Sequence, residues 1–226
     1  MIKKTILKIL NFIVNILGNP KKAPQGDIFY NSKAATYDNV RDSSKQRANE
    51  RMILREYLNK IAPNKDVLDL PIGTGAFVDL YAMYQHRVLG ADISNTMLEI
   101  AENKIPAELA ENFTFDRLNI LNEKFLARRF DVVISIRFLG EVLNLQQLNV
   151  ALPRLVALSK KWLILDLGYS RFSILASNNE NYASQASSKY KIENILKEQG
   201  LLILDKKLSK ASLLKKRYIY LCERVE

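Results

Sequence analysis

The chain has 226 residues, 48% of them hydrophobic, which suits one α/β domain with short additions and excludes global disorder. A single cysteine, Cys222, and a single histidine, His86, exclude a disulfide framework, a cysteine-rich zinc site and a Ser-His-Asp triad, and they fit a reducing, cytoplasmic setting. The net charge of +10 sits at the two ends: residues 1–26 hold five lysines and residues 206–217 six basic side chains, neither stretch with an acid, while residues 27–205 balance at 22 basic and 22 acidic.

Residues 1–18, MIKKTILKILNFIVNILG, have the pattern of an amphipathic helix, with Lys4, Lys8, Asn11 and Asn15 on one stripe. The stretch is too short and too interrupted for a comfortable transmembrane span, and no small-x-small cleavage site follows it. Three destinations stay open: an anionic membrane surface reached through residues 1–22, a partner, or the chain's own domain. The membrane option would make the protein peripheral to the inner face of a membrane. Two glycines and two prolines between Gly18 and Gly26 mark a linker. The expected division is therefore 1–26, helix and linker, and 27–226, one folded domain.

A helical pattern runs from about Ser43 to Ile61. Strands and helices then alternate: strand 66–70, helix 76–84, strand 87–91, helix 95–104 with Ser94 as N-cap, and strand 113–117. Strand 130–136, helix 145–158 and strand 162–167 follow. Residues 168–186 read as a polar loop and 187–199 as a helix ending at Gly200, before two closing strands at 201–205 and 218–222. His86, just before a strand, reads as a surface or turn residue. The expected fold is α/β: a Rossmann-like open sheet of about seven strands, mostly parallel, with an antiparallel edge hairpin at the C-terminus and helices on both faces.

In such sheets ligands lie beyond the carboxyl ends of the strands, so the loop Pro71-Ile72-Gly73-Thr74-Gly75 is the first place to look. Its glycines allow close backbone approach, and a helix N-terminus follows. It lacks both the three-glycine dinucleotide spacing and the phosphate-loop lysine. Asp92, seventeen residues after Gly75, is placed to accept the two hydroxyls of a ribose.

Taken together, Asp69-x-x-x-Gly73-Thr74-Gly75, Gly90-x-Asp92-Ile93-Ser94-x-x-Met97-Leu98 and Phe130-Asp131-Val132-Val133-Ile134-Ser135 resemble the class I S-adenosylmethionine-dependent methyltransferases. Tyr30-Asn31-x-x-Ala34-x-x-Tyr37-Asp38-x-x-Arg41 is similar to the entry segment of their ubiquinone/menaquinone-biosynthesis-like branch. The resemblance spans roughly residues 29–222. It implies S-adenosylmethionine as cofactor and S-adenosylhomocysteine as product. It also implies that Gly73 and Gly75 cradle the methionine part, with Asp69 anchoring the loop or the amino group. Asp92 would hold the ribose and Ile93 flank the adenine. Asn119 and Ile120 would lie near the adenine amine and Ser135 on the methionine side, and Tyr30, Tyr37 and Arg41 would cover the cofactor.

Pro71, Ile72, Asn119 and Gly140-Glu141 depart from the family pattern, Ile72 standing where a cysteine is common. Pro71 replaces a glycine and removes an N–H from the cofactor loop. Asn119 replaces an acid, and Gly140-Glu141 stands where many relatives carry two histidines. Blander assignments stand beside the functional ones: Asp69 as a loop-bracing acid, Asp92 as a helix cap, Tyr30 and Tyr37 as core aromatics, Arg137 and Glu141 as a surface ion pair.

Methyl transfer from a sulfonium is an in-line displacement that needs no metal, and a base only when the acceptor must lose a proton. Glu141, Asp166, Tyr169 and Tyr37 are the candidate bases. Arg137 is the candidate binder of an anionic acceptor group. The neutral central domain favours a small-molecule, lipid or glycan acceptor. The basic ends keep an RNA acceptor open, and Pro71 keeps open a non-catalytic S-adenosylmethionine-binding module.

Overall fold

A computed structural model describes residues 45–122, 128–140, 142–170, 189–213 and 215–225. The expectations for residues 1–26, for Tyr30, Tyr37, Arg41 and Glu141, and for most of the 168–186 loop lie outside those residues.

The chain enters through α1 (Lys45–Asn59) and then runs β1 (Asp66–Asp69), α2 (Val78–Met83), β2 (Arg87–Asp92) and α3 (Asn95–Glu102). A 3-10 turn at Ala107–Asn112 leads into β3 (Phe113–Arg117), β4 (Phe130–Ser135) and α4 (Leu145–Leu158). It closes with β5 (Ser159–Ser170), α5 (Lys189–Glu198), β6 (Leu201–Ala211) and β7 (Lys215–Arg224). The strands form one sheet in the order β3-β2-β1-β4-β5-β7-β6, with β7 antiparallel to both neighbours and the other pairs parallel. The chain steps outward from β1 to β3 and then returns to β1's other side at β4. That reversal opens a crevice above the carboxyl ends of β1 and β4.

Alternation along the strands feeds two cores. Val67, Val132, Ile134, Ile164 and Ile219 face the layer of α1 and α2, where Ile53, Leu54, Tyr57, Leu80 and Tyr81 are buried. Leu68, Val133, Leu163, Leu165 and Tyr220 face α4 and α5, where Leu148, Leu152, Ile192 and Leu196 are buried. Each such Leu or Ile contributes about 1.5–3 kcal/mol by leaving water. Local signals set the helix starts. The Ser94 hydroxyl accepts from the Met97 N–H at α3. Asn144 and Gln147 form a reciprocal capping box at α4.

Three expectations are corrected. Residues 168–170 continue β5, because β7 offers backbone partners out to the Ser170–Lys215 pair; their polar side chains read as a loop in isolation. β6 and β7 are accordingly longer than the short closing strands expected. His86 is fully buried rather than at the surface. Its Nδ1 accepts from the Lys65 N–H at 3.1 Å, and its ring stacks on Tyr84 with centroids 5.8 Å apart. Burial pushes its pKa down to about 4, so it is a neutral structural imidazole.

Candidate active site

The loop after β1 is braced from within. The Leu70 N–H extends the sheet ladder to Ile134 O at 3.0 Å, and the Ile72 N–H donates to Ala91 O at 2.9 Å. Between them lies Pro71, joined to Leu70 by a cis peptide bond. It has no N–H to place, and both of its flanking N–H groups are satisfied. Gly73 and Gly75 have φ of +58° and +72°, a region that costs side-chain-bearing residues and not glycine. They differ in surroundings. A Cβ on Gly75 would lie 3.0 Å from the Ala101 backbone, whereas one on Gly73 would meet nothing within 4 Å among the described residues. Gly75 thus lets the loop rest on α3, and Gly73 is the point where backbone faces open space.

Asp92, at the end of β2, clasps this loop. One carboxylate oxygen accepts from the Gly73 N–H and the other from the Ser94 N–H, both at 3.0 Å. Burial raises its pKa, against the opposing pull of those backbone donors. The carboxylate keeps acceptor capacity for a ligand hydroxyl. Asp69 is more deeply enclosed. It is 2% exposed and accepts from the Tyr81 hydroxyl of α2 at 2.7 Å. Desolvation pushes its pKa up to about 7, with the nearby Asp92 charge adding to the rise. This geometry suits a brace between β1 and α2.

Ser135 ends β4 beside the loop, buried, with no hydrogen-bond partner for its Oγ among the described residues. Open backbone at Gly73, spare acceptor capacity at Asp92 and an orphaned hydroxyl at Ser135 fit the amino-acid and ribose parts of an adenosyl cofactor. Ile93 is partly buried after β2, and its carbonyl accepts from Arg117 Nε at 3.0 Å. Asn119 turns its own backbone, with Oδ1 accepting from the Leu121 N–H at 3.0 Å, and Ile120 is buried against the core. These three flank the far side of the crevice, beyond β2 and β3.

Beyond β4 and β5 lies an ionic cluster. Arg137, at φ +64°, donates its backbone N–H to Asp166 Oδ2 at 3.0 Å. Arg217 of β7 grips the same carboxylate with both Nε and a terminal nitrogen. Glu50 of α1, with no exposed surface, lies 3.7 Å from the Arg137 guanidinium and 3.8 Å from that of Arg217. Asp166, a candidate base from sequence, is therefore a buried ion-pair partner of Arg217 that also accepts from the Arg137 backbone N–H, ill-placed to collect a substrate proton. Arg137 pairs with Glu50 in the interior; its expected pairing with Glu141 lies outside the described residues. Tyr169 is partly buried and stacks on Tyr218 with ring centroids 5.9 Å apart.

The sequence reading missed Glu50, Arg217 and Tyr81. The signal for Glu50 was available: Arg47, Glu50, Leu54 and Tyr57 fall on the buried face of one helix, so two charges interrupt an apolar stripe. Arg217 carried no such mark, since it closes a run of surface-like basic residues.

Residues 67–161 match the model of a methyltransferase domain family. No curated protein matches the chain in sequence. Among solved structures, the chain is similar to magnesium protoporphyrin IX methyltransferase from Synechocystis PCC 6803 with bound S-adenosylhomocysteine, at 19% identity and TM-score 0.62 over 80% of this chain and 83% of that one. It is similar to an S-adenosylmethionine-dependent methyltransferase from Clostridium acetobutylicum, at 20% identity and TM-score 0.63 over 87% and 99%. A [4+2]-cyclase shares the fold at 11% identity and TM-score 0.70 over 88% and 95%. At these identities the likeness is one of fold.

Proposed function

We propose that this chain, a member of the class I S-adenosylmethionine-dependent methyltransferases, transfers a methyl group to a small-molecule, lipid or glycan acceptor. The observation that carries the reading is the unit formed by Gly73 and Asp92: an open glycine backbone held by a carboxylate with acceptor capacity to spare. When bound, S-adenosylmethionine supplies an electrophilic methyl on a sulfonium, so the protein's work is to position the acceptor and exclude water.

The proposed roles follow the geometry. Gly73, Gly75 and the Pro71 bend form the cradle for the methionine part, with the Ser135 hydroxyl beside it. Asp92 accepts from the ribose hydroxyls. Ile93, Asn119 and Ile120 border the adenine, where Asn119 Oδ1 keeps a second lone pair for an amine donor. Asp69 holds α2 to the loop through Tyr81. Tyr30, Tyr37 and Arg41 cover the site, and the ubiquinone/menaquinone-like branch rests on their spacing alone.

On this reading Arg137, after β4, takes an anionic acceptor group with the part of its side chain that the Glu50 pairing leaves exposed, with Tyr169 bordering the same side and Glu141 as the base when the acceptor is a hydroxyl. The balanced charge of residues 27–205 supports a small acceptor over RNA. No helix among the described residues is long and apolar enough to cross a membrane. The single cysteine supports a reducing, cytoplasmic setting, with residues 1–22 as a route to the inner face of a membrane.

Calorimetric titration of the full chain with S-adenosylhomocysteine is the deciding experiment. Saturable one-to-one binding is the expected result; no heat at millimolar ligand overturns the transferase reading.

A further inference from the structure

The β6–β7 hairpin has a property the transferase fold does not require. β4 ends at Ser135, which is level with Leu165 of β5, yet β5 continues to Ser170 and stays paired with β7 down to Lys215. Five residues of extra strand carry the ribbon roughly 15 Å past the carboxyl edge of the parallel sheet, on the side of the crevice. β6 ends at Ala211 on the same side, paired with Lys216.

The turn is tight. The Ser212 N–H donates to Lys215 O at 2.8 Å, and the Ser212 hydroxyl accepts from the Lys215 N–H at 3.1 Å. Two-residue hairpin turns favour Asn, Asp and Gly at their centre. Here the two central residues in sequence are Leu213 and Leu214, and Leu213 is 73% exposed. Turn chemistry does not ask for leucine there, and no core among the described residues receives Leu213.

Charge surrounds this apolar point. Residues 206–217 contain six basic side chains and no acid. Lys206 and Lys207 are paired with Glu193 and Glu56, and Arg217 with Asp166, back along the ribbon. Lys210, Lys215 and Lys216 stand next to the turn. An exposed leucine tip ringed by lysines is complementary to one kind of surface: acyl chains beneath anionic headgroups.

We propose that the β6–β7 tip inserts into an anionic lipid bilayer, and so presents the crevice side of the sheet to the membrane. The lysines supply electrostatic attraction to the headgroups, and Leu213 gives the shallow apolar anchor. The inference depends on the hairpin alone and holds whatever the acceptor is. A lysine-rich stretch could serve RNA equally, but an exposed leucine at the apex gains nothing from a phosphate backbone.

The test uses the full chain with sedimented vesicles of phosphatidylglycerol and phosphatidylcholine, against pure phosphatidylcholine. Binding to the anionic vesicles alone is expected. Lys210→Gln with Lys216→Gln should lower the partition coefficient roughly 30-fold, and Leu213→Asp about tenfold. Each variant must keep the parent melting temperature. Because residues 1–26 bring lysines of their own, depth at the tip is read separately. Cys222 is buried and its thiol is pushed up to about 12, so Leu213→Cys takes a polarity-sensitive dye selectively. A blue shift of that dye on anionic vesicles is expected. Vesicle binding with no shift, or unchanged partitioning of the variants, overturns the proposal. So does retention on single-stranded RNA that the lysine changes abolish and Leu213→Asp leaves intact.

Discussion

The two halves of the crevice are built by opposite means. The Gly73–Asp92 half is local: one strand, one loop and the end of the next strand, held by backbone N–H groups and glycines. The Arg137 half is assembled from residues 50, 137, 166 and 217, on four separate segments, and held by charge. Backbone-built sites tolerate little variation in shape and bind what is invariant, a cofactor. Side-chain-built sites change with single substitutions, and on the proposed function this half would take the acceptor and the other the cofactor.

Breaking each half separately tests that division. The largest effect is expected from Glu50→Ala, which leaves the Arg137 and Arg217 guanidiniums without their shared carboxylate in a buried place. Loss of about 3–5 kcal/mol in urea unfolding is expected, with the affinity of the remaining folded protein for S-adenosylhomocysteine little changed. Asp92→Ala should do the reverse. It removes charge-assisted acceptors, so S-adenosylhomocysteine binding should weaken about 10- to 100-fold by calorimetry, more than stability falls. Equal loss of affinity in both variants would end the separation into halves.

Tyr81→Phe sharpens the assignment of Asp69. If Asp69 is a brace, removing its 2.7 Å donor costs about 1–2 kcal/mol of stability and changes affinity less than threefold. A direct cofactor ligand would show the larger change in affinity.

The smallest effect is in pH. His86 is held neutral, with a folded pKa of about 4 against an ordinary 6.5. Its contribution is complete above 6.5 and is lost as pH falls through 4. Asp69 has the opposite sign. Its folded pKa near 7 lies above the ordinary 3.8, so its contribution is complete at low pH and is lost as pH rises through 7. Between 4 and 6.5 the two slopes oppose. Above 6.5 Asp69 acts without His86, and unfolding free energy should fall by about 1 kcal/mol from pH 6.5 to 8. Asp69→Asn should flatten that decline, read from urea curves at the two values.

The same contrast explains what could be read from sequence. The strand–loop–strand run from Val67 to Asp92 lies within 26 consecutive residues, and its glycine spacing and terminal acid have direct geometric meaning. α4 was legible to the residue because apolar spacing and its boundaries agree. The far half was not, because pairing of Glu50 with Arg217 exists only after β7 has been threaded between β5 and β6. His86 misled for a related reason. A polar residue at a strand entrance reads as exposed until the Lys65 N–H and the Tyr84 ring close over it.

Gly90 carries a last consequence. A methyl group on it would lie 2.5 Å from Ile72 Cδ1 and 3.0 Å from the Phe115 ring. The loop after β1 is therefore seated on a bare spot in β2, and the depth of the crevice is a property of that neighbouring strand as much as of the loop. Transplanting residues 69–75 into a related sheet would carry the signature without its seat. A working graft needs the pair, loop and missing side chain, moved together.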